Sequence, residues 1–190
     1  MAIERIQTLV IGGGQAGLVM SYRLKQRGLA HLVLERHRIA ERWRSERWDG
    51  LRFQFPNWSV RLPDFAFPHD DPDGFSASSD ILDYIAAYAA FVAPPIRCGV
   101  AVTALRRGDH GFLAETSGGV IEADNVVVAT GPYQRAVIPA LHENIELFQV
   151  HASRYANPEQ LPAGAVLVVG AGASGAQISE ELLRAGRRVF

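Results

Sequence analysis

The stretch Val10-Ile11-Gly12-Gly13-Gly14-Gln15-Ala16-Gly17 decides the fold of this 190-residue chain. The apolar run that precedes the glycines, Ile6–Ile11, is typical of a buried parallel strand. Apolar residues at helical spacing follow over 15–26, and His31–Glu35 predicts a second strand. The order strand, GxGxxG, helix, strand within about 30 residues predicts a Rossmann-type dinucleotide-binding unit.

The residues of this glycine motif have separate physical tasks. Gly12 allows the tight turn out of the strand, Gly14 lets the backbone approach a pyrophosphate, and Gly17 lets the helix pack closely on the strand. The helix then begins at Gln15 and Ala16, where free N–H groups and the helix dipole favour phosphate. The motif therefore predicts a phosphate site at the N-terminus of the first helix.

An acidic residue supports this interpretation. Glu35 ends the second predicted strand, 23 residues after Gly12, where an acid binds ribose hydroxyls. Its charge favours FAD or NAD and disfavours a 2′-phosphate. The alternative, a glycine-rich turn in some other α/β protein, is disfavoured because strand, helix, second strand and acid all occur in order.

A second motif repeats the same pattern. Val166–Val169 predicts a strand, Gly170-Ala171-Gly172-Ala173-Ser174-Gly175 follows it, and Ser174–Ala185 predicts a helix. Ser174 can also donate a hydrogen bond to a phosphate. The next strand begins within Arg187–Phe190, so the residue that would separate NADPH from NADH lies at or beyond its end. We interpret Arg187 and Arg188 as a solvated loop.

Between the motifs, the chain changes character twice. Residues 36–71 are rich in aromatic and arginine side chains and predict one short helical turn near Ile39–Arg44. This segment either covers the sheet or forms a wall around a planar cofactor, and composition favours neither. Asp80 is expected to cap a helix that keeps an apolar face as far as Val92. A β-rich stretch follows, with predicted strands at Val100–Leu105, Gly111–Thr116 and Val120–Glu122 and a separate buried strand at Val126–Ala129.

These elements predict an α/β fold: a Rossmann-like FAD-binding domain with a β-rich insert, then the start of a second Rossmann-like NAD(P)-binding unit. We expect the N-terminal portion of the first domain over 1–135, a connector over 136–164 and the second unit from 165.

Composition excludes several classes of protein. The formal net charge of −1 gives no support for a nucleic-acid or anionic-membrane partner. The single cysteine, Cys98, excludes an intrachain disulfide and a CxxC redox pair. No segment approaches a membrane span of roughly 20 apolar residues, so a cytoplasmic protein is expected. A metal site at His69, Asp70, Asp71 and Asp73 is disfavoured because these residues, with Pro68 and Pro72 among them, are typical of a solvated loop.

The motifs together resemble those of the two-dinucleotide flavin-dependent monooxygenases: flavin-containing monooxygenases, their Baeyer–Villiger relatives and bacterial putative flavoprotein monooxygenases. The similar segments, in order, are Val10–Gly17, Leu34–Arg36, Trp43-Arg44, Arg47–Asp49, Val126–Gly131 followed by Pro139, and Val168–Gly175. The resemblance spans nearly all of this chain and about half of such an enzyme. One family signature is incomplete: His151 and Tyr155 fit it, but Ile145 and Leu147 replace its Phe and Gly, which favours the bacterial relatives.

The resemblance implies roles for particular residues. The FAD site would comprise the first glycine motif with Glu35, Arg36, Trp43, Arg44, Trp48, Val102, Ala129, Thr130 and Gly131. The NADPH or NADH site would comprise Gly170, Gly172, Ser174 and Gly175. Gln54 matches an asparagine that the family places near the oxygen-reactive face of the flavin, with Asn57 close by.

The chemistry that the resemblance implies is redox chemistry on the cofactor. NADPH would reduce FAD, and reduced flavin would react with O2 to give a peroxyflavin that oxygenates a small-molecule substrate. A flavin reductase or dehydrogenase on the same scaffold and a catalytically silent dinucleotide-binding fragment remain alternatives. The family completes its FAD domain with later chain, so we expect no monooxygenase turnover from these 190 residues alone. Association with a second copy or a complementing chain stays open.

Overall fold

The predicted β-α-β unit is present at the start of the chain. The computed structural model describes residues 3–132, 134–139 and 147–190. Strand β1 spans Glu4–Ile11, helix α1 spans Gln15–Gln26 and strand β2 spans His31–Glu35. The two strands pair in parallel from Thr8 opposite His31 to Ile11 opposite Leu34, so the strand ends meet at one edge.

The main sheet has six strands in the order β5-β2-β1-β8-β7-β6. Strands β5, β2, β1 and β8 run parallel, whereas β6, β7 and β8 form an antiparallel meander. Their bounds are Ile96–Cys98 for β5, Val102–Gly108 for β6, Gly111–Thr116 for β7 and Gly119–Val128 for β8. A separate two-stranded sheet comprises β3, Arg61–Leu62, and β4, Phe65–Ala66.

The structure corrects several of the strand predictions. The expected strands at Val120–Glu122 and Val126–Ala129 are one continuous β8, because its polar middle stays paired with β1, with Asn125 opposite Thr8. The expectation that this C-terminal part is buried was wrong for Val128, which is 65% exposed. The sequence reading also missed β5, which directly follows Pro94-Pro95.

The described residues form three further α-helices: α2 over Glu41–Ser45, α3 over Ser78–Val92 and α4 over Ala173–Arg184. The capping role predicted for Asp80 was wrong, because α3 begins two residues earlier. The Asp80 carboxylate instead accepts the Ala77 N–H at 2.9 Å, as an acid at the third helical position does in a capping box. No helix within the described ranges is both long and apolar enough to cross a bilayer.

The described residues fall into two compact units. The first lies within Met1–Glu41, Leu62–Ala66 and Asp83–Gln134, and the second within Arg42–Arg61, Phe67–Leu82 and Arg135–Phe190. In the first unit, one hydrophobic cluster contains Leu9, Leu32, Leu34, Ala114, Ile121 and Ala123, and another contains Val10, Leu24 and Val33. Alternate residues of β1 and β2 thus enter different clusters, as expected for neighbouring strands with apolar residues on both faces.

The core of the second unit forms around α4. Its buried members are Trp48, Leu51, Tyr155, Ile178 and Leu182. The predicted strand at Val166–Val169 is reduced to a parallel bridge between Val166 and Val189. Hydrogen bonds from Val166 N–H to the Arg188 carbonyl and from Phe190 N–H to the Val166 carbonyl hold this pairing.

Candidate dinucleotide-binding sites

The first glycine loop is packed so tightly that two positions exclude a side chain. Gly12 has φ +117°, and a Cβ there would lie 2.4 Å from the carbonyl oxygen of Ala129. A Cβ on Gly17 would lie 1.9 Å from the carbonyl oxygen of Gly12. Both distances are below any that real Cβ atoms adopt, so glycine is required for the turn and for the close approach of α1 to β1.

Gly14 lies in a different environment within the same loop. It precedes the first residue of α1 with φ −87° and ψ −171°, and no side chain caps the helix. Apart from its chain neighbours, none of the described residues comes within 4 Å of where its Cβ would be, and the next residues, Gln15 and Ala16, are exposed. The unpaired N–H groups of a helix N-terminus therefore border open space, which fits a pyrophosphate and leaves room for its approach.

Glu35 joins the end of β2 to this loop. One carboxylate oxygen accepts the Gly13 N–H at 2.7 Å, and the other accepts the His37 N–H at 2.9 Å. Each oxygen of an ionised carboxylate can accept more than one hydrogen bond, so capacity for ribose hydroxyls remains. The acid predicted from the sequence therefore also holds the glycine loop in shape.

The Ala129-Thr130-Gly131 segment lies behind the loop, as its contact with Gly12 requires. The Ala129 N–H donates to the Ile11 carbonyl at 2.8 Å. Arg36 reaches this segment indirectly: it donates to Gln134 at 2.9 Å, and the Gln134 amide donates to the carbonyls of Thr130 and Gly131. The sequence analysis missed Gln134, whose only signal was a side-chain amide shortly after the Gly131-Pro132 turn.

The second glycine loop repeats the first in its internal geometry. A Cβ on Gly175 would lie 1.9 Å from the Gly170 carbonyl oxygen and 3.7 Å from Val168. The corresponding distances for a Cβ on Gly17 are 1.9 Å to the Gly12 carbonyl oxygen and 3.6 Å to Val10. The strand register is also repeated. Thr8 lies opposite His31 in the first unit, and the residues 158 positions later, Val166 and Val189, lie opposite each other in the second. Gly172 again precedes the helix, with φ −76° and open space at its Cβ position.

The two loops differ in what surrounds them. Ala129 blocks the Cβ position of Gly12, whereas no described residue beyond the chain neighbours comes within 4 Å of the Cβ position of Gly170. Leu9 and Leu32 are 0% and 6% exposed, but the residues 158 positions later, Leu167 and Phe190, are 67% and 62% exposed. The second loop is thus formed without a backing segment among the described residues, and Ser174 lies exposed at its helix start.

The Trp43–Trp48 segment divides between surface and core in the second unit. Trp48 is 4% exposed and packs with Leu51 and Tyr155, and its indole N–H has no hydrogen-bond partner among the described residues.

Trp43 is half-buried, with the Arg47 guanidinium 4.8 Å from its ring centroid. Burial, and secondarily Arg42, lowers the pKa of Arg47. Arg44 is exposed, and the cofactor roles of this segment stay predictions.

The remaining candidates lie in contrasting surroundings. Gln54 is exposed, whereas the nearby Asn57 is 7% exposed and its amide is used structurally. Asn57 donates to the Asp71 carbonyl at 2.8 Å and accepts from the N–H and hydroxyl of Ser76 at 3.1 and 2.7 Å. Val102 packs against the first unit's Leu9 cluster.

The residues at the positions of the partial family signature also differ in burial. Tyr155 belongs to the core of the second unit, and its hydroxyl donates to Glu181 at 2.7 Å. His151 is half-buried, with its ring 3.0 Å from the hydroxyl of Ser153. Leu147 is 58% exposed, and Ile145 lies outside the described residues.

Comparisons with known proteins cover nearly the whole chain. The family model described as pyridine nucleotide-disulphide oxidoreductase matches residues 9–190. The chain is 43% identical over 180 residues to an uncharacterized CzcO-like oxidoreductase from Geobacillus kaustophilus strain HTA426, covering 93% of this chain and 51% of that protein. It is 32% identical over 183 residues to a probable indole-3-pyruvate monooxygenase from Arabidopsis thaliana, covering 93% and 44%.

A solved structure gives the same result at the level of the fold. The flavin-containing monooxygenase from Stenotrophomonas maltophilia superposes with a TM-score of 0.85 at 27% identity, covering 99% of this chain and 57% of that one. The chain spans about half the length of the curated relatives that it matches.

Proposed function

Since this chain belongs to the pyridine nucleotide-disulphide oxidoreductase family, we propose that it forms the dinucleotide-binding part of an FAD-dependent, NAD(P)H-using oxidoreductase. The resemblance drawn from the sequence motifs is confirmed by this membership and by the monooxygenases among its relatives. The observation that carries the proposal is the duplicated glycine loop, with the same internal distances and the same strand register.

In this proposal, the first loop holds FAD. The exposed N–H groups at the start of α1 bind the pyrophosphate over Gly14, and Glu35 binds ribose hydroxyls while it holds Gly13 in place. Gln134 keeps Arg36 and the carbonyls of Thr130 and Gly131 together beside the loop. These contacts are all made within the protein, and in this proposal they reduce the ordering that FAD binding requires.

The second loop holds NADPH or NADH in the same way. The start of α4 beyond Gly172 supplies backbone N–H groups, and Ser174 adds a hydroxyl at an exposed position. When bound, the nicotinamide supplies a hydride and the flavin accepts it and activates O2.

In the full-length protein, we propose monooxygenation of a small-molecule substrate at a cytoplasmic location. The expected division at 1–135, 136–164 and 165–190 belongs to this proposal. So do the roles predicted for Gln54, Trp43, Arg44, Trp48 and Val102.

The identity of the bound nucleotide tests this assignment. The purified chain, incubated with FAD, desalted and denatured, is expected to release FAD at one per chain and to show the visible absorbance of oxidised flavin before denaturation. A chain that retains no FAD, or that prefers FMN, which lacks the AMP half of FAD, contradicts the proposal.

A flavin reductase without oxygen insertion is the second candidate, favoured by the disulphide oxidoreductases in the family description. The single cysteine of these 190 residues weighs against a dithiol acceptor within them. In the full-length protein, labelled O2 that enters an organic product supports the monooxygenase, whereas NAD(P)H oxidation that reduces only an added acceptor supports the reductase.

A further inference from the structure

We propose that Gln177 is a positioning residue for the second dinucleotide site, because it ties α4 to the segment Trp48–Arg52 and so fixes the glycine loop from which α4 begins. The inference rests on the proposed binding of NAD(P)H at that loop. It concerns a side chain one turn into the helix, away from the phosphate-binding N–H groups. Such a residue acts on the ligand through the geometry of the loop.

The Gln177 amide pairs with the main chain in both directions. Its oxygen accepts the Arg52 N–H at 3.0 Å, and its nitrogen donates to the Arg52 carbonyl at 3.0 Å. The amide thus satisfies both backbone groups of one residue, as a neighbouring β-strand would. This pairing fixes the rotation of α4 about its axis as well as its distance from the segment.

A second contact lies one turn further along α4. Glu181 accepts the Tyr155 hydroxyl hydrogen bond at 2.7 Å, and a Cβ on Gly50 would lie 2.3 Å from a Glu181 carboxylate oxygen. Tyr155 is 4% exposed, and burial followed by this hydrogen bond raises its pKa. Gln177 and Glu181 therefore dock one face of α4 against the same segment.

The segment is itself held from its other side. The Asp49 N–H donates to the Ala156 carbonyl at 2.8 Å, and Arg52 forms an antiparallel bridge with Ala77. The Ser78 N–H donates to the Leu51 carbonyl at 3.1 Å. The segment is consequently an anchored support for α4.

The first loop holds its helix by other means. With the offset of 158, Gln177 corresponds to Val19 and Glu181 to Arg23, and Arg23 bonds to Gln26 on the surface of α1. The first loop is backed by Ala129, whereas the second has open space at Gly170. The polar tether thus supplies the second loop with a support that the first obtains from backbone packing.

The test measures NADP⁺ and NAD⁺ binding to the whole 190-residue chain by calorimetry. Gln177→Ala is expected to weaken binding of the preferred nucleotide about tenfold, the effect of a loosened loop and roughly 1.4 kcal/mol. Glu180→Gln is the matched control, since Glu180 neighbours Glu181 but pairs with Arg184 on the exposed surface; its affinity should equal that of the unmodified chain. FAD content should stay constant in all variants.

The isosteric variant Gln177→Glu should make nucleotide affinity depend on pH in a way that general destabilisation of the protein would not. At about pH 8 its carboxylate cannot donate to the Arg52 carbonyl, so binding should be as weak as in Gln177→Ala. Near pH 4, below the ordinary glutamate pKa of about 4.3, most of these carboxyl groups are protonated and offer both a donor and an acceptor, so affinity relative to the unmodified chain at the same pH should recover. That ratio cancels the ionisation of NADP⁺ itself, and the variant keeps the test decisive if Gln177→Ala fails to fold.

The outcomes separate the two levels of the proposal. If both Gln177 variants bind nucleotide as the unmodified chain does at every pH, the positioning role is wrong and the second site stands. If the unmodified chain binds neither NADP⁺ nor NAD⁺, the second site itself is wrong and the positioning role fails with it.

Discussion

Glu35 shows at the scale of a single residue how one carboxylate serves both a fold and a site. Its position at the end of β2 predicted ribose binding, and the structure adds hydrogen bonds to the N–H groups of Gly13 and His37. Hydrogen bonds to a charged acceptor are stronger than neutral ones, at about 1.5–3 kcal/mol. The loop proposed to bind the pyrophosphate therefore depends on the residue proposed to bind the ribose.

Replacing Glu35 by Gln should weaken FAD binding more than a lost surface charge would. One carboxylate oxygen becomes an NH2 group that cannot accept a hydrogen bond, so one loop N–H loses its partner and the ribose loses a charged acceptor. We expect a Kd for FAD about thirtyfold higher, equivalent to about 2 kcal/mol. Flavin fluorescence titration measures it.

Glu4→Gln is the control for Glu35→Gln. Glu4 pairs with Arg97 on the surface, where ion pairs contribute little to stability. Equal FAD affinities for the Glu35 and Glu4 variants would show that the Glu35 contacts do not support the site.

Single residues also mark where sequence reasoning ends. The glycines and Glu35 were predictable because a tight turn, a close approach and a charged acceptor each demand a residue type at a fixed spacing. Gln134 and Gln177 were not, because an amide accepts or donates wherever the tertiary fold places a partner. Their partners lie on other segments, Gln177's being 125 positions away.

Among the elements, α1 and β2 were predicted with their observed bounds, because their apolar periodicity is uninterrupted. The start of α3 was misplaced because Asp80 accepts the N–H of Ala77 from inside the helix. The continuous β8 was divided because its polar middle carries exposed side chains while its backbone remains paired with β1. Pairing with a neighbouring strand is not encoded in the local pattern.

Helix α3 provides a stability test through two tyrosines. Tyr88 is 0% exposed, and its hydroxyl has no hydrogen-bond partner among the described residues. A buried unsatisfied polar group costs about 1–3 kcal/mol. Tyr88→Phe should therefore raise the free energy of unfolding by about 1 kcal/mol at neutral pH, measured by urea denaturation.

The same variant should change the response to alkali. Burial raises the pKa of Tyr88 from 10.0 to about 12. Above pH 10 the unfolded chain releases this proton and the folded chain keeps it, so stability is lost as pH rises through about 12. The phenylalanine variant should lose less stability over that range than the unmodified chain.

Tyr84→Phe is the control for Tyr88→Phe. The Tyr84 hydroxyl accepts from the Leu62 N–H at 2.9 Å and donates to the Phe65 carbonyl at 2.5 Å, so its removal should destabilise the protein. If Tyr88→Phe destabilises the protein as much as Tyr84→Phe does, the interpretation that the Tyr88 hydroxyl lacks a hydrogen-bond partner is wrong.

At the scale of the whole molecule, the chain repeats one glycine-loop geometry in two settings. The first loop is packed against Ala129 and is hydrogen-bonded to the acidic residue Glu35. The second loop has open space at the Cβ position of Gly170 and is anchored through α4. The sequence predicted both loops because glycine spacing after a strand is a local signal. That none of the residues described by the structure backs the second loop was not predictable, because backing depends on which distant segment packs against each loop.

The two loops should be separable by single substitutions. Gly14 and Gly172 each precede a helix with open space at the Cβ position and negative φ, so alanine fits both without strain. The added methyl group would occupy the space through which a pyrophosphate approaches. Each variant should fold with a stability change within about 0.5 kcal/mol and lose affinity for one nucleotide only.

The most direct test of the two-site account is a parallel titration of FAD and NADP⁺ into the unmodified chain, Gly14→Ala and Gly172→Ala. The account predicts that Gly14→Ala loses FAD affinity at least about tenfold and keeps NADP⁺ affinity, and that Gly172→Ala does the reverse. Gly17→Ala, whose Cβ would meet the Gly12 carbonyl at 1.9 Å, should lose both folding stability and FAD. FAD binding unchanged in the folded Gly14→Ala variant, or both nucleotides weakened together by either single change, would contradict the account.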